Sequence, residues 1–94
     1  MEDASTQEHA YRVPFRLERR PPTYTLLNIS AEQLHGVTFT LHGSGLMSAN
    51  TPALLHPGEA LQVIVSGYDL PRNAIMVVRW FRPTGIEYLW RVSF

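Results

Sequence analysis

Three histidines lie near the ends of predicted strands, and imidazole nitrogens are frequent zinc ligands. They are His35, His42 and His56. Their spacing matches no metal-binding motif, because no two histidines of the sequence stand in a His-x-His pair. We therefore expect exposed histidines in loops and at strand ends, and neither a bound metal nor any other cofactor.

Nucleophilic and acid–base catalysis lack their usual residue patterns. Gly43-Ser44-Gly45 is not the Gly-x-Ser-x-Gly elbow of a serine hydrolase, and without a lysine and a following helix it is no phosphate loop. Glu59 and Asp69 both fall in predicted turns, so they do not pair for acid–base catalysis. The sequence has no cysteine, which excludes thiol catalysis and thiolate metal sites. We expect a protein that is not an enzyme.

Arginines and large apolar residues on one predicted surface point to molecular recognition. The sequence contains eight arginines and no lysine. The outer face of the last predicted hairpin, with its flanking residues, carries the candidate partner-binding set: Val77, Arg79, Phe81, Arg82, Leu89 and Arg91. If this face is solvated, the arginine stems simply cover its apolar residues. If it is a contact surface, arginine and large apolar groups are the types enriched at interface cores.

Two functional hypotheses follow from this face. The first is a non-catalytic protein-interaction or structural module, which self-associates through the C-terminal hairpin or its free edge or binds another protein. The alternative is single-stranded nucleic-acid binding by stacking and arginine contacts. Four further arginines would extend a basic stripe if the first strand lies beside this sheet: Arg12, Arg16, Arg19 and Arg20. The net charge of zero argues against nucleic acid, since such binders usually carry a basic excess.

The segment from Ala74 to Phe94 predicts a β-hairpin. Its turn, Arg82-Pro83-Thr84-Gly85, suits a type I turn closed by a left-handed glycine and sets Arg82 opposite Ile86. The resulting register places four apolar or aromatic pairs on one face: Trp80 with Tyr88, Val78 with Trp90, Met76 with Val92 and Ala74 with Phe94. Because turn chemistry and side-chain pattern agree, we expect this register to form.

Alternating apolar residues predict the remaining strands. Strands are expected over residues 11–17, 24–30, 37–42 and 61–66, with a doubtful short edge strand over 53–55. Pro14 cannot donate to a ladder, so the first strand lies at an edge or is broken there, and the Pro21-Pro22 pair ends it. Leu34 is expected to be the buried plug of a loop, and residues 56–59 form a turn. No helix of useful length is predicted.

These elements indicate an all-β fold, an antiparallel β-sandwich of six to seven strands. We expect residues 1–10 to be a disordered tail and residues 11–94 a single domain. The polar N-terminus is no signal peptide, and no apolar run reaches the roughly 18 residues needed to span a bilayer, so we expect a cytoplasmic protein without membrane insertion. The predicted core is Leu26, Val37, Phe39, Leu41, Leu61, Val63, Val65, Met76, Val78, Trp80, Tyr88, Trp90 and Val92.

Two short motifs lie in the middle of the chain. A strand ending in Asn-x-Ser at Ser30 precedes a Gly-Val-x-Phe-x-Leu strand at residues 36–41. Leu-x-Pro-Gly-Glu at residues 55–59 then precedes an alternating strand. With these motifs, residues 24–67 resemble the immunoglobulin-like sandwich modules of bacterial proteins. The chain departs from antibody-type domains because it lacks their paired cysteines. The resemblance implies an immunoglobulin-like sandwich with an adhesion or spacer role, and it brings no catalytic residues.

Overall fold

Eight strands and one short helical turn follow one another within residues 10–94. The computed structural model describes residues 10–94, so the predicted tail lies, apart from Ala10, outside the described residues. The elements are β1 (Phe15–Arg20), β2 (Thr23–Asn28), β3 (Leu34–Gly43), β4 (Leu46–Ala49), β5 (Ala53–Leu55), β6 (Ala60–Ser66), α1 (Leu70–Asn73), β7 (Ala74–Phe81) and β8 (Glu87–Ser93).

The strands form two antiparallel sheets of four strands each. Sheet 1 has the order β1-β2-β6-β4, and sheet 2 has the order β5-β3-β7-β8. The inner side chains of both sheets pack on one core, which confirms the predicted β-sandwich. β1 lies at an edge and begins only after Pro14, and β2 is an interior strand.

The C-terminal hairpin has the predicted register. Trp80 pairs with Tyr88 and Val78 with Trp90, and the ladder runs without interruption to Ile75 and Ser93. At the turn, the Arg82 amide donates to the Ile86 carbonyl over 3.0 Å, and the Gly85 amide donates to the Arg82 carbonyl over 2.7 Å. Gly85 has a φ of 89°, which is the left-handed conformation that this turn requires. Local turn chemistry therefore sets the position of every side chain on β8.

Four features differ from the sequence expectation. β4 was not predicted, because Leu46-Met47-Ser48-Ala49 is short, lies at an edge and lacks a clear alternation, so the strand count rises to eight. β1 begins after Pro14, which has no amide hydrogen to donate, and it includes Arg19 and Arg20 because they pair with β2 up to the turn. Leu34 is buried as expected but starts β3 instead of closing a loop.

The core lies between the sheets, and most of its predicted members are buried. Leu41, Tyr88 and Trp90 are half-buried and pack against it from the rim. Besides Leu34, which was expected to be buried, five buried apolar residues lie outside the predicted core: Phe15, Tyr24, Leu55, Leu70 and Ala74. Phe15 was missed because alternation alone does not say which face of a strand turns inward. Tyr24 lies two residues before predicted core residue Leu26, so the alternation places both on the same face.

Asn28 is a buried polar residue that ties three segments together. Only 1% of it is exposed. Its Nδ2 donates to the carbonyl of Leu55 over 3.0 Å and to that of Glu32 over 2.8 Å, and its Oδ1 accepts from the amide of Ser30 over 2.9 Å. The end of β2, the following turn and β5 are thus joined through one amide, as a buried polar group requires.

Candidate functional site

The hairpin face consists of the side chains that β7 and β8 turn away from the core. Its members are Ile75, Val77, Arg79 and Phe81 of β7 and Glu87, Leu89, Arg91 and Ser93 of β8. They stand opposite one another in pairs, such as Arg79 with Leu89 and Val77 with Arg91. Five of the six predicted site residues therefore share one face, and Arg82 is the exception.

The apolar residues of the hairpin face differ in how firmly they are held. Leu89 is 66% exposed, whereas Val77 and Phe81 are half-buried. The ring of Phe81 lies over Gly36 of β3, where an added Cβ would stand 3.0 Å from a ring carbon. Leu89 is therefore the apolar side chain of this face with the most surface left for a partner.

Arg79 and Glu87 form an exposed ion pair on the hairpin face. Nη1 of Arg79 lies 3.3 Å from Oε2 of Glu87, and the guanidinium is 5.9 Å from the centre of the Phe81 ring. Exposed pairs of this kind stabilise a fold by about 0–1 kcal/mol. The pair holds two charges in place beside Leu89 and contributes little to stability.

Arg82 turns away from the hairpin face. It binds Glu32 with two hydrogen bonds, of 3.0 Å from Nε and 2.8 Å from Nη2. Its guanidinium also lies 4.1 Å from the centre of the Tyr11 ring. The hydrogen bonds from Arg82 lower the pKa of Glu32, and the same carboxylate raises the pKa of Arg82. Arg82 thus holds the segment before β1 against the sandwich, apart from the other candidate residues.

Aromatic rings line the open side between β1 and β8. The Tyr11 ring lies 4.5 Å from the Tyr88 ring, and Nε1 of Trp80 donates to the Tyr11 hydroxyl over 3.0 Å. Phe15 stacks with Trp90 at 6.5 Å. β1 therefore faces β8 across the side of the sandwich, although the two strands belong to different sheets.

The basic stripe predicted from Arg12, Arg16, Arg19 and Arg20 is interrupted. Arg19 crosses the gap and donates to the backbone carbonyl of Ser93 over 2.9 Å. Arg16 lies 3.9 Å from the carboxylate of Glu18. Acceptors and acidic partners within the fold therefore occupy two of the four arginines that were expected to extend a basic surface.

The β8 edge is the row of backbone groups that β8 turns away from β7. Because Arg82 and Ile86 form a hydrogen-bonded pair, the alternation of an antiparallel ladder turns the amides and carbonyls of Glu87, Leu89, Arg91 and Ser93 outward. The bond from Arg19 to the Ser93 carbonyl agrees with this assignment. Within residues 10–94, no strand pairs with the β8 edge.

Other chemistry is sparse in the described part of the chain. Residues 10–94 contain no group of three or more His, Asp or Glu side chains that could hold a metal, and this covers His35, His42 and His56. His56 instead bonds Glu59 within its turn, and its hydrogen bonds lower the pKa of that carboxyl. Among the same residues, no helix has the length and apolar character to cross a membrane. Comparison with known proteins finds no matching family model, curated protein or solved structure.

Proposed function

We propose that this protein is a non-catalytic protein-interaction module that binds its partner through the β8 edge and the hairpin face. The observation that carries the proposal is the combination of both at one place. An edge with outward amides and carbonyls borders a face where exposed Leu89 stands between Glu87 and Arg91. Edge strands of this kind accept a partner strand, with backbone bonds giving affinity and side chains giving specificity.

A comparison of the four edge strands supports this choice. β4 and β5 have four and three residues, which leaves little backbone to pair with. β1 follows Pro14, and four of its six residues are charged. Short length, proline and charge are the devices that keep sheet edges from pairing. β8 has seven residues, no proline and an unbroken register, and its two charged residues, Glu87 and Arg91, have opposite signs. It is therefore the least protected of the four edges.

Single-stranded nucleic acid remains the second candidate because arginines and aromatic rings lie on the same side of the fold. Three arginines near this surface already face carboxylates, namely Arg16, Arg79 and Arg82. Their charge is therefore partly neutralised. Titration with a fluorescent oligothymidylate of about 16 nucleotides tests this alternative. Binding that weakens steeply with added salt would favour nucleic acid over a protein partner.

We also infer that the domain is an immunoglobulin-like module. The order β1-β2-β6-β4 parallels A-B-E-D of the immunoglobulin sandwich, and β3-β7-β8 parallels C-F-G. β5 is an additional strand beside β3. This order supports the resemblance seen in residues 24–67, and the resemblance in turn implies an adhesion or spacer role. The lack of cysteine in the sequence supports a cytoplasmic location.

Photo-crosslinking tests the proposed surface. A photoreactive amino acid replaces Leu89 in one variant and Ile64 in the control, and irradiation is carried out in the native cells. Ile64 is a fair control because it is 52% exposed and lies on the outer face of sheet 1. We expect a discrete adduct from position 89 and none from position 64. Equal labelling from both positions, or none from position 89, would refute this surface as the binding site.

A further inference from the structure

We propose that the partner is a second copy of this chain, paired antiparallel through β8 with Leu89 of both copies on the two-fold axis. This inference rests on the proposed function and deepens it, because it names the occupant of the β8 edge and the register of pairing. Four observations lead to it: the direction of the backbone groups of β8, the order of its outward side chains, the aromatic residues on its inner side and the position of Arg19 on β1.

The backbone geometry permits this register. Two antiparallel edges bond where both turn their amides and carbonyls outward, and on β8 these are the odd-numbered residues. With Leu89 opposite the second copy's Leu89, Glu87 stands opposite Arg91 of the other copy. All of these residues are odd-numbered, so each pair exchanges backbone hydrogen bonds. A register displaced by a single residue would oppose outward groups to inward ones.

The side chains of the hairpin face are complementary in the same register. Glu87, Leu89 and Arg91 are exposed and follow one another at every second position. Antiparallel pairing about Leu89 sets each Glu87 against the other copy's Arg91, with the two leucines between these ion pairs. Opposite charges directly across a ladder stabilise it, and apolar pairs do the same. β8 is thus self-complementary in charge about its central residue, as a two-fold interface requires.

The inner side of β8 fits the same axis. Tyr88 and Trp90 are half-buried at the open side of the sandwich. In this register the Tyr88 of each copy stands opposite the Trp90 of the other. Aromatic pairs across strands are among the favourable ones. The side chains on the hairpin face of β8 and those on its inner side are therefore both complementary in the same register.

Arg19 limits the free part of the edge. It donates to the Ser93 carbonyl, so the acceptors of the β8 edge that have no bond from residues 10–94 are those of Glu87, Leu89 and Arg91. Leu89 is the middle one of these three. The bond from Arg19 to Ser93 therefore places the centre of pairing at Leu89, the same residue that the side-chain charges select. The sequence of residues 1–9 is mostly polar, with three acidic residues, and offers no such complementarity to β8.

Charge reversal tests the pairing. Glu87→Arg puts arginine opposite arginine at both symmetric positions, and Arg91→Glu puts glutamate opposite glutamate. We expect each variant alone to dimerise about 10- to 100-fold more weakly than the unchanged chain. An equimolar mixture of the two variants opposes arginine to glutamate at both positions, so it should form a heterodimer. Light scattering after size exclusion measures the molar mass, and circular dichroism verifies folding.

Engineered cysteines test the register. Because the sequence has no cysteine of its own, any disulfide must join the introduced residues. Residues of a hydrogen-bonded antiparallel pair have Cα atoms about 5.5 Å apart, within disulfide reach. We expect Leu89→Cys to form a disulfide dimer, and Ile64→Cys to remain monomeric. Glu87→Cys mixed with Arg91→Cys should crosslink, whereas Glu87→Cys alone should not, since its two copies lie about 14 Å apart along the strand.

The outcomes separate this inference from the proposed function. The register is wrong if the mixture of Glu87→Arg and Arg91→Glu stays monomeric while the unchanged chain dimerises. It is also wrong if Glu87→Cys alone forms disulfide crosslinks. If the unchanged chain stays monomeric at about 1 mM, the Kd of dimerisation lies above that concentration, which is a very weak affinity. That result overturns the second copy as partner. In that case an adduct of position 89 with another protein would still uphold the interaction module. Loss of that adduct as well would refute the module itself.

Discussion

Replacement of Asn28 by alanine should cost a large part of the stability of this domain. Asn28 sits at the end of β2 and makes hydrogen bonds to both the following turn and β5. Alanine keeps the backbone but removes both amide donors and the acceptor. The change leaves the carbonyl of buried Leu55 without that donor, while the carbonyl of Glu32 and the amide of Ser30 lie where water has better access.

The expected loss is about 3 kcal/mol. A buried carbonyl deprived of its donor costs about 2 kcal/mol, and the two part-buried groups add about 0.5 kcal/mol each. Domains of this size have a free energy of unfolding of about 5–15 kcal/mol. A loss of 3 kcal/mol lowers Tm by about 12–24 °C in a domain of 60–100 residues. The protein should still fold at 25 °C, so the effect is measurable.

Urea unfolding followed by tryptophan fluorescence measures the loss, since Trp80 lies in the core. Asn50→Ala is the matched control because Asn50 is exposed in a loop, and it should change the free energy of unfolding by less than about 0.5 kcal/mol. A loss below about 1 kcal/mol for Asn28→Ala, with an unchanged denaturant slope, would refute the reasoning about the buried amide.

Asn28→Asp provides a second test of the same site through pH. The aspartate keeps the acceptor for Ser30 but turns a carboxylate oxygen toward two carbonyls. Burial and these carbonyls should raise the pKa of the new carboxyl above its unfolded value. The variant is then less stable than the original at pH 7, and its deficit should shrink as pH falls through the raised pKa, because the protonated acid can donate one bond. A deficit that grows on acidification would contradict this.

Three further changes test other contacts of the fold. Glu32→Gln should cost about 1–2 kcal/mol at pH 7, because it weakens the paired bonds from Arg82. Since the pKa of Glu32 is lowered in the fold, that cost should be full above about pH 4.3 and vanish as pH falls through the lowered pKa in urea titrations at several pH values. Tyr11→Phe should cost about 1 kcal/mol in the same assay, since Nε1 of Trp80 loses its acceptor, and no loss would show that water replaces the hydroxyl. Gly43→Ala should lower Tm in calorimetry by more than Gly58→Ala, because its Cβ would collide with a carbonyl oxygen at the end of α1, whereas Gly58 has open space. Equal decreases in Tm for the two variants would mean that the backbone conformation of the glycines, and not the collision of the Cβ, causes the loss.

The function proposed for the β8 edge depends on features that permit strand pairing at β8 and on features that prevent it at the other edges. Length, absence of proline and an unbroken register leave β8 able to pair, while charge, proline or short length protect the other edges. The ion pair between Arg79 and Glu87 does not block this use. In the proposed dimer Glu87 would lie between Arg79 of its own chain and the other copy's Arg91, so its charge would be shared.

The C-terminal hairpin was predictable to the level of individual residue pairs. The reason is that its turn joins neighbouring segments, and Pro83 and Gly85 favour one turn conformation. Once the turn is set, the period of two along each strand assigns every side chain to a face. The hairpin face and its candidate residues followed from that pattern, except that Arg82 points to Glu32 instead.

The sequence by itself determined the β class, the hairpin register and most of the inward residues of β3, β6 and β7, because these depend on local turns and alternation. The tertiary structure alone shows that β4 forms an edge, that Asn28 is buried and that Arg82 pairs with Glu32. It also placed β1 beside β8, so that Arg19 reaches Ser93. These features join residues far apart in the chain, and no local pattern encodes the path by which the chain brings them together.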